Sequence, residues 1–329
     1  MEGEFRLPAA RIRGEVGFTD STLCNPAGVA LYADHITVEK DMYCRDNFRA
    51  MGAVRLPSAQ IAGQLNFNHA RLSHPGQVAL HGDQLVVGSH LYCQDSFHIE
   101  GGISLVAARV GGEVRFSSAV LTHEHDVALR ADQLVVEGDM YCRQGLQIDG
   151  QVRLHGAHVK GDLSLSTTTI RNPGQVAIHA QQLTVGSDFI CDEGFTVDGL
   201  IDLTDTHITG ELSLSGAALD NSGDITLLAT RMIVEKDMFC RDGFTANGTV
   251  CLIGAHVGGK LSFTRATLTG SSLTPEQLRD QGRRGDAHQL CETGATGAGE
   301  KTTLACTGEW QFRPGARRRR AERGPGHEL

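Results

Sequence analysis

Aromatic side chains are scarce in this chain, and two other common features are missing. Only 5% of its 329 residues are aromatic while 40 are glycine, so a globular core filled by bulky rings is not expected. No run of about 18 apolar residues occurs, which argues against a membrane-spanning helix. The N-terminal sequence MEGEFRLPAARIRGEV lacks the apolar segment of a signal peptide. These absences predict a cytoplasmic protein without a membrane span, in which unpaired cysteines stay reduced.

Basic residues are also scarce in the first 270 residues. Residues 271–329 contain 10 of the 30 Lys and Arg residues and 8 of the 39 Asp and Glu residues. Residues 1–270 are therefore left with 20 basic and 31 acidic residues, a net charge of −11. Because contacts to phosphate need Lys and Arg side chains, an acidic body of this kind predicts no nucleic-acid partner.

The sequence does contain a repeat of 49 residues, which runs from Gly3 to Gly270 without an insertion or deletion. Self-similarity at a fixed period is typical of proteins that stack one structural unit on the next. One glycine column consists of Gly3, Gly52, Gly101, Gly150, Gly199 and Gly248. A second consists of Gly14, Gly63, Gly112, Gly161, Gly210 and Gly259. The cysteine column consists of Cys44, Cys93, Cys142, Cys191 and Cys240.

Within each unit, apolar residues alternate with polar ones over short stretches, as in Leu65 to Phe67 and Leu91 to Cys93. Alternation with period two predicts strands, and the glycines and Asn-Pro-Gly corners between them predict turns. Residues 1–270 show no helical periodicity. Strands this short bury little surface alone, so they must stack coil on coil. The pattern therefore predicts an all-β protein, a right-handed parallel β-helix.

The spacing of similar segments indicates how many coils form one unit. GQLNF, which ends at Phe67, resembles SHLYC, which ends at Cys93, at an offset of 26 residues, and Val114 follows Leu91 at an offset of 23. The two offsets add to one repeat, so we predict two coils per unit, each with about four short sides. Three triangular coils per unit are the alternative. Two coils per unit predict about 11 coils, stacked about 4.8 Å apart.

The cysteine column alternates with an apolar column at the equivalent position of the intervening coil. Along the stack the order is Phe18, Cys44, Phe67, Cys93, Phe116, Cys142, Leu165 and Cys191. Large and small apolar side chains alternate in this way in a close-packed wall. Successive cysteines would lie about 9.6 Å apart, too far for a disulfide, and residues 1–270 contain no Cys-x₂-Cys pair typical of zinc sites. The five cysteines are therefore predicted to be buried core residues.

The other recurring polar residues are assigned to the surface. His158, His207 and His256 form a column whose two-coil spacing is too wide for a shared metal ion. His123 and His125, in HEHD, replace an Asn-Pro-Gly corner and are assigned to a polar loop. A further column consists of Asp41, Asp139, Asp188 and Asp237. These aspartates are predicted to be turn residues whose carboxylates bond nearby backbone amides. The sequence thus predicts no catalytic residue, no metal site and no cofactor.

Residues 271–329 break every column, so the chain is divided into a β-helix domain at 1–270 and a C-terminal tail at 271–329. Thr274, as an N-cap before Pro275, predicts one short helix. Beyond Arg283 the composition predicts disorder, and Arg317–Arg320 make this segment basic. GATGAGEKTT resembles a phosphate-binding loop, but Glu300 interrupts its spacing, so nucleotide binding is not predicted.

The units resemble an actinobacterial family of tandem-repeat proteins. The resemblance covers residues 3–270 and is carried by the glycine and cysteine columns and by corners such as GAHVGG. Members of that family often carry an "oxidoreductase" label, although no G-x-G-x-x-G follows a strand and opens a helix here. More distantly, Ala-x-Leu steps such as Ala70 to Leu72 are similar to pentapeptide repeats. The G-x-L corners are similar to bactofilins, which implies a cytoskeletal polymer.

Regular columns and connectors of constant length favour a non-catalytic structural or interaction scaffold, because an active site needs a converging nucleophile, base and orienting group. The alternative is an enzyme that acts on an extended polymer such as a polysaccharide, with Asp202 and Asp205 as the best carboxylate candidates. A groove lined by aromatic and acidic side chains would favour this alternative, whereas the expected scarcity of outward aromatic residues argues against it. An oxidoreductase, as implied by the resemblance, is a third possibility.

The N-terminal coil is predicted to mediate self-association. GEFRL near the start matches GAVRL at Gly52, so no distinct cap is expected before the first coil. An open strand edge is a template for a further strand, and Pro or Lys at Val16 is expected to weaken such pairing. The helix at Thr274 is predicted to cover the other end, and the basic tail to fold back on acidic sides. The expected partner is thus another protein or a second copy of this chain.

Overall fold

The chain winds into a solenoid of three β-sheets. The computed structural model describes residues 3–192, 194–269, 303–306 and 309–311, and every regular element in them is a strand. No described residue belongs to a helix that is long and apolar enough to cross a membrane.

Each coil contributes one strand to each sheet, and all strands of residues 3–269 pair in parallel with the coils before and after. Sheet A contains β1 (Phe5–Arg6), β4 (Thr22–Tyr32), β7 (Arg49–Arg55), β10 (Arg71–His81), β13 (His98–Ser104), β16 (Val120–Arg130), β19 (Gln147–Arg153), β22 (Thr169–His179), β25 (Thr196–Asp202), β28 (Ala218–Leu228), β31 (Thr245–Cys251) and β34 (Ala266–Thr269). Sheet B contains β2 (Arg11–Ile12), β5 (Thr37–Val38), β8 (Gln60–Ile61), β11 (Val86–Val87), β14 (Arg109–Val110), β17 (Val135–Val136), β20 (His158–Val159), β23 (Thr184–Val185), β26 (His207–Ile208), β29 (Ile233–Val234) and β32 (His256–Val257). Sheet C contains β3 (Val16–Gly17), β6 (Met42–Tyr43), β9 (Leu65–Asn66), β12 (Leu91–Tyr92), β15 (Val114–Arg115), β18 (Met140–Tyr141), β21 (Leu163–Ser164), β24 (Phe189–Ile190), β27 (Leu212–Ser213), β30 (Met238–Phe239) and β33 (Lys260–Ser262).

The register confirms two coils in each 49-residue unit. Leu91 pairs with Leu65 on one side and with Val114 on the other, the two offsets expected from the sequence. In sheet A the long strand of one coil is bent: Ser73 pairs with Glu100 and Val78 with Gly102, so four intervening residues bulge opposite a single one. Each complete coil therefore has four short paired segments in three sheets. The parallel β-helix of about 11 coils is confirmed, and three coils per unit are excluded.

The first glycine column lies where that bulge crosses the next coil. Gly101 has a φ of +115°, which side chains with a Cβ rarely adopt. A Cβ there would lie 2.6 Å from the carbonyl oxygen of His74 and 2.7 Å from that of Gln77. Both backbone strain and the close approach of the bulge therefore require glycine at this corner of the coil.

The cysteine column is a wall of the core, as predicted. Phe67, Cys93, Phe116 and Cys142 are each at most 2% exposed, and all five cysteines of the column are free thiols. Burial raises the pKa of Cys142 to about 12 and the pKa values of the other four well above their usual range. These thiols therefore stay protonated and act as small apolar side chains.

The two ends of the solenoid differ. At the N-terminal end, β1, β2 and β3 are the edge strands of their sheets. At the C-terminal end, β35 (Thr303–Cys306) pairs antiparallel with β34, and β36 (Glu309–Gln311) pairs antiparallel with β33. The predicted helix at Thr274 and the basic segment Arg317–Arg320 lie outside the described residues.

Candidate functional site

Sheet C carries a regular column of large side chains on its outer surface. The column consists of Tyr43, Tyr92, Tyr141, Ile190 and Phe239, each directly before a cysteine of the buried column. Because successive residues of a strand point to opposite faces, the buried cysteine places its neighbour outside. All five side chains are half-buried. We call this set the aromatic column.

Smaller or polar residues occupy the same position in the intervening coils. They are Gly17, Asn66, Arg115, Ser164, Ser213 and Ser262. Members of the aromatic column therefore recur at every second coil, about 9.6 Å apart. The result is an open row of five evenly spaced large side chains, four rings and one isoleucine, along one face of the rod.

An aspartate stands two residues before four of the five members of the aromatic column. Asp41 Oδ1 accepts a hydrogen bond from the backbone N–H of Gln64 at 2.8 Å, and Asp139 Oδ1 accepts one from Asp162 N–H at 2.8 Å. Asp188 and Asp237 repeat this contact with later coils. The prediction that these aspartates bond backbone amides is confirmed. The amides, however, belong to the next coil rather than to a local turn.

The complete set at this position is strongly acidic. It consists of Glu15, Asp41, Glu113, Asp139, Asp162, Asp188, Glu211 and Asp237, and the other three coils carry Gln64, His90 and Lys260 at this position. We call the eight carboxylates the acidic column. From Asp139 to Asp237, five successive coils each contribute one carboxylate, so this column is densest in the C-terminal half of sheet C.

The two columns are joined by hydrogen bonds. The Tyr43 hydroxyl donates to Asp41 Oδ2 at 2.9 Å, and the Tyr141 hydroxyl donates to Asp139 Oδ2 at 2.8 Å. These bonds to a carboxylate are the main reason that the pKa values of both tyrosines are raised. The phenols therefore stay protonated, and each ring is held along its strand.

An arginine or histidine side chain also lies against every ring of the aromatic column. The guanidinium carbon of Arg45 is 4.7 Å from the ring centroid of Tyr43, and that of Arg143 is 4.1 Å from the centroid of Tyr141. Arg241 lies 3.9 Å from Phe239 in the same way. At Tyr92 the partner is the His90 imidazole, stacked with a centroid separation of 5.4 Å. The three arginine contacts are cation–π contacts, whereas the His90 contact is a ring stack in which Nδ1 accepts a hydrogen bond from the backbone N–H of Glu113 at 3.0 Å. Both kinds of contact keep the rings in place on an exposed surface.

The histidines singled out from the sequence have surface and corner roles. His158, His207 and His256 lie in sheet B, and His207 Nε2 is 2.8 Å from Glu235 Oε1. His123 Nδ1 lies 3.2 Å from the carbonyl oxygen of Val127, the contact that an asparagine amide makes at other corners. Within the described part of the chain, no three His, Cys, Asp or Glu side chains are grouped to hold a metal ion.

The structure does not bring Asp202 and Asp205 together as an acid–base pair. Asp202 is buried and accepts hydrogen bonds from Gln181 Nε2 at 2.7 Å and from the backbone of Thr204 at 3.0 Å. Asp205 is paired with Arg231 through both carboxylate oxygens, at 2.7 and 2.5 Å, which lowers its pKa. A general acid needs a raised pKa, so Asp205 is unsuited to that role.

Two other carboxylates do lie side by side. Asp198 and Asp220 are register partners in neighbouring strands of sheet A. They line a shallow, open depression of about 320 Å³ together with Arg171 and Asn247, whose amide donates to Asp220 at 2.9 Å. Sequence spacing did not reveal this pair, because its members are 22 residues apart in chain order and meet only through the coil register.

The aromatic column was also missed from the sequence, although its signal is simple. It contains three of the four tyrosines of the chain, each directly before a cysteine of the repeat. The low aromatic content predicted sparse outward rings, and this expectation is wrong for sheet C because the few rings are concentrated there. Comparisons with protein-family models, with curated proteins and with solved structures find no match for this chain.

Proposed function

We propose that the protein is a non-catalytic interaction scaffold that binds an extended partner along sheet C. The observation that carries this proposal is the aromatic column, in which three rings are supported by an arginine, one by a stacked histidine, and two of the four also by a carboxylate. Side chains held in this way lose little conformational entropy when a partner binds.

A long or repetitive partner suits this surface best. Each ring offers only a small contact area, but five equivalent positions along a rigid rod act together when one partner spans them. Linked contacts of this kind raise the apparent affinity because each later contact forms within the same complex. A small ligand would meet only one position and would bind weakly.

The chemistry of the face favours binding over catalysis. In Asp41, Asp139, Asp188 and Asp237 one carboxylate oxygen accepts a backbone amide hydrogen bond. These carboxylates hold successive coils together, so a substrate could not use the bonded oxygen without breaking a contact of the fold. The acidic column therefore supports the fold and supplies charge to the surface.

An enzyme acting on an extended polymer is the second candidate, and the pairing of Asp198 with Asp220 is the observation that favours it. Neighbouring strands are about 4.8 Å apart, close to the separation of the two carboxyl groups in retaining glycosidases. Asp220, however, is exposed in an open depression, which does not exclude water from a bound substrate as an active site does. The scaffold is therefore the leading function.

The decisive experiment removes the rings without disturbing the coil. Serine already occupies the same position at Ser164 and Ser213, so Tyr43→Ser, Tyr92→Ser and Tyr141→Ser copy a residue that the sheet accepts. The triple variant and the wild type are incubated with a panel of polysaccharides and with native cell extract. We expect at least one partner to be retained by the wild type and lost by the variant.

A matched triple variant on sheet B, Gln60→Ser, Arg109→Ser and His158→Ser, is the control and should keep that partner. If the sheet C variant binds everything that the wild type binds, the proposal is wrong. Release of reducing ends from a polysaccharide, abolished by Asp198→Asn, would support the enzyme instead. A bound chromophore in the purified protein would support the oxidoreductase implied by the family resemblance.

We also propose self-association through the N-terminal coil. Edge strands β1, β2 and β3 each have a paired neighbour on one side among the described residues. Phe5, Leu7 and Ile12 are only partly buried there, unlike their equivalents in inner coils. Pairing of two such coils would extend the sheets and cover these apolar side chains.

The structure changes which residue should be used to test self-association. Val16 is buried, and its backbone N–H donates to the carbonyl of Asp41 in the second coil, so a substitution there would damage the coil itself. In a parallel sheet the backbone N–H and C=O groups of successive residues point to opposite edges of the strand. Since those of Val16 face the second coil, those of Gly17 point to the open edge. Gly17→Pro should lower the association measured by light scattering, whereas Gly17→Ser should leave it unchanged.

Deletion of residues 271–329 should have the opposite effect. It removes β35 and β36, exposes the edges of β34 and β33, and permits stacking of the N-terminal end on the C-terminal end. We expect larger assemblies for the shortened chain. A full-length chain and a shortened chain that are both monomeric at high concentration would exclude end-to-end association.

A further inference from the structure

The last described residue, Gln311, lies beside the end of the acidic column. Strand β36 runs antiparallel to β33, and its last residue, Gln311, is the register partner of Lys260. Lys260 occupies the position of the acidic column in its coil, and its backbone N–H donates to Asp237 Oδ1 at 2.6 Å. The residues that follow Gln311 therefore begin next to this column, one row beyond its end.

Those residues are strongly basic. The segment 312–323, FRPGARRRRAER, contains six arginines and one glutamate. It also contains a Pro-Gly dipeptide, Pro314–Gly315, a sequence typical of turns. We call residues 312–323 the basic segment.

The nearest part of sheet C has the complementary charge. Asp188, Glu211 and Asp237 lie in successive coils next to Lys260. In Asp188 and Asp237, Oδ1 accepts a backbone hydrogen bond, while Oδ2 has no partner among the described residues. Carboxylate oxygens on this face are thus available to a guanidinium, which binds them with defined geometry.

The length of the segment matches the distance it must cover. Counted across sheet C from the strand of Gln311, Asp237 belongs to the second strand and Asp188 to the fourth. At the usual spacing of strands these are distances of about 10 and 19 Å. Arg317 is six residues after Gln311, and an extended chain covers about 20 Å over six residues. Arg317–Arg320 can therefore reach all three carboxylates without any change in the solenoid.

We propose that the basic segment of this chain binds to the acidic column of sheet C across the coils of Asp188, Glu211 and Asp237. Attachment through β36 keeps the segment close to this face, so its effective concentration there is in the millimolar range. The bound segment would cover the aromatic column at Ile190 and Phe239 and leave Tyr43, Tyr92 and Tyr141 open. This docking does not depend on whether sheet C binds a further partner.

Limited proteolysis of the full-length chain tests the proposal. Asp188→Asn, Glu211→Gln and Asp237→Asn remove three charges. The two asparagines keep an oxygen that can accept the backbone hydrogen bonds from Glu211 and Lys260, so the coils should stay intact. Trypsin cleavage after Arg317–Arg320, followed by mass spectrometry, should become about tenfold faster in this triple variant. Wild-type protein in high salt should show the same acceleration, because salt screens exposed charge pairs.

The control neutralises three carboxylates on another face, with Asp149→Asn, Asp198→Asn and Asp220→Asn on sheet A. This variant should be cleaved at the wild-type rate. A dye attached at the C-terminus gives a second measurement, since its fluorescence anisotropy should fall only in the sheet C variant. Equal cleavage rates and equal anisotropy in the wild type and the sheet C variant would overturn the proposal, as would an equal effect of the sheet A control.

Discussion

Tyr43 and Cys44 are neighbours in the chain and recur with the same period, yet they belong to two different environments. The cysteine column faces inward, and its members are at most 3% exposed. The aromatic column faces outward and is half-buried. Packing explains the inward column completely, because a small side chain must fit between Phe or Leu rungs. It does not explain the rings outside, where Ser164 and Ser213 occupy the same position in neighbouring coils.

A shared period therefore has two separate causes. The alternation of large and small core residues sets a repeat of two coils, and any outward residue can then recur with that period. What needs a functional reason is the chemical type of the outward residue, not its regularity. The following experiments measure how far the two columns differ, in order of decreasing expected effect.

The largest difference is expected at alkaline pH. The five buried thiols stay protonated in the folded state, where burial raises the pKa of Cys142 to about 12, whereas unfolded thiols ionise near pH 8.5. Above that pH the unfolded state binds fewer protons, so stability must fall as pH rises. At pH 10 the loss is about 2 kcal/mol per thiol, or about 10 kcal/mol for five.

Urea unfolding at pH 7 and pH 10 measures this loss. The variant Cys93→Ala with Cys142→Ala lacks two of the thiols and should lose about 4 kcal/mol less than the wild type between the two pH values. Equal losses in both proteins would mean that the thiols ionise in the folded state, which contradicts their burial.

Removal of a large buried side chain from the core should have the next largest effect. Phe67 is fully buried, and its ring centroid is 6.1 Å from that of Phe97. Phe67→Ala should lower the free energy of unfolding by about 3–5 kcal/mol, because it leaves a cavity in a narrow core. The control, Gln60→Ala at an exposed position, should change it by less than about 0.5 kcal/mol.

A polar group in the cysteine column should have an intermediate effect. Cys142→Ser places a hydroxyl in an apolar wall and should cost about 1–3 kcal/mol in urea unfolding. Cys142→Ala, which introduces no polar group, separates this cost from the loss of volume. Native thiols should also resist labelling until denaturant is added, and rapid labelling of the folded protein would contradict their assignment to the core.

The smallest effect is expected in the aromatic column. Tyr141→Ser removes the hydrogen bond to Asp139 and the contact with Arg143, both on a half-exposed surface, and should cost less than about 1 kcal/mol. Urea unfolding of this variant beside Phe67→Ala completes the comparison. If both variants lose similar stability, the aromatic column is structural, and its role in binding loses its main support.

The fold was largely predictable because each coil repeats the same local rule. The offsets around Leu91 could be read from short apolar patterns, and the structure contains the same offsets. The cysteines could be placed inside because Phe and Leu alternate with them. The amide partners of Asp41 and Asp139 could not be identified in advance, since they lie in the next coil and depend on the bend at each corner.

The candidate sites were less predictable for a related physical reason. Asp202 and Asp205 are close in sequence, but one bonds Gln181 and the other Arg231. Asp198 and Asp220 are distant in sequence, yet the register makes them neighbours. Separation along the chain is a poor guide to contact in a solenoid, because residues about one coil apart are closer than residues a few positions apart.

By itself, the sequence determined the period, the number of coils in each unit and the inward side of each strand, because alternation and close packing act locally and recur in every unit. Only the tertiary structure decided which outward residues form continuous columns. Rings, carboxylates and guanidinium groups from different coils become one surface only when the coils stack in register. The aromatic and acidic columns of sheet C are therefore properties of the stack rather than of any single unit.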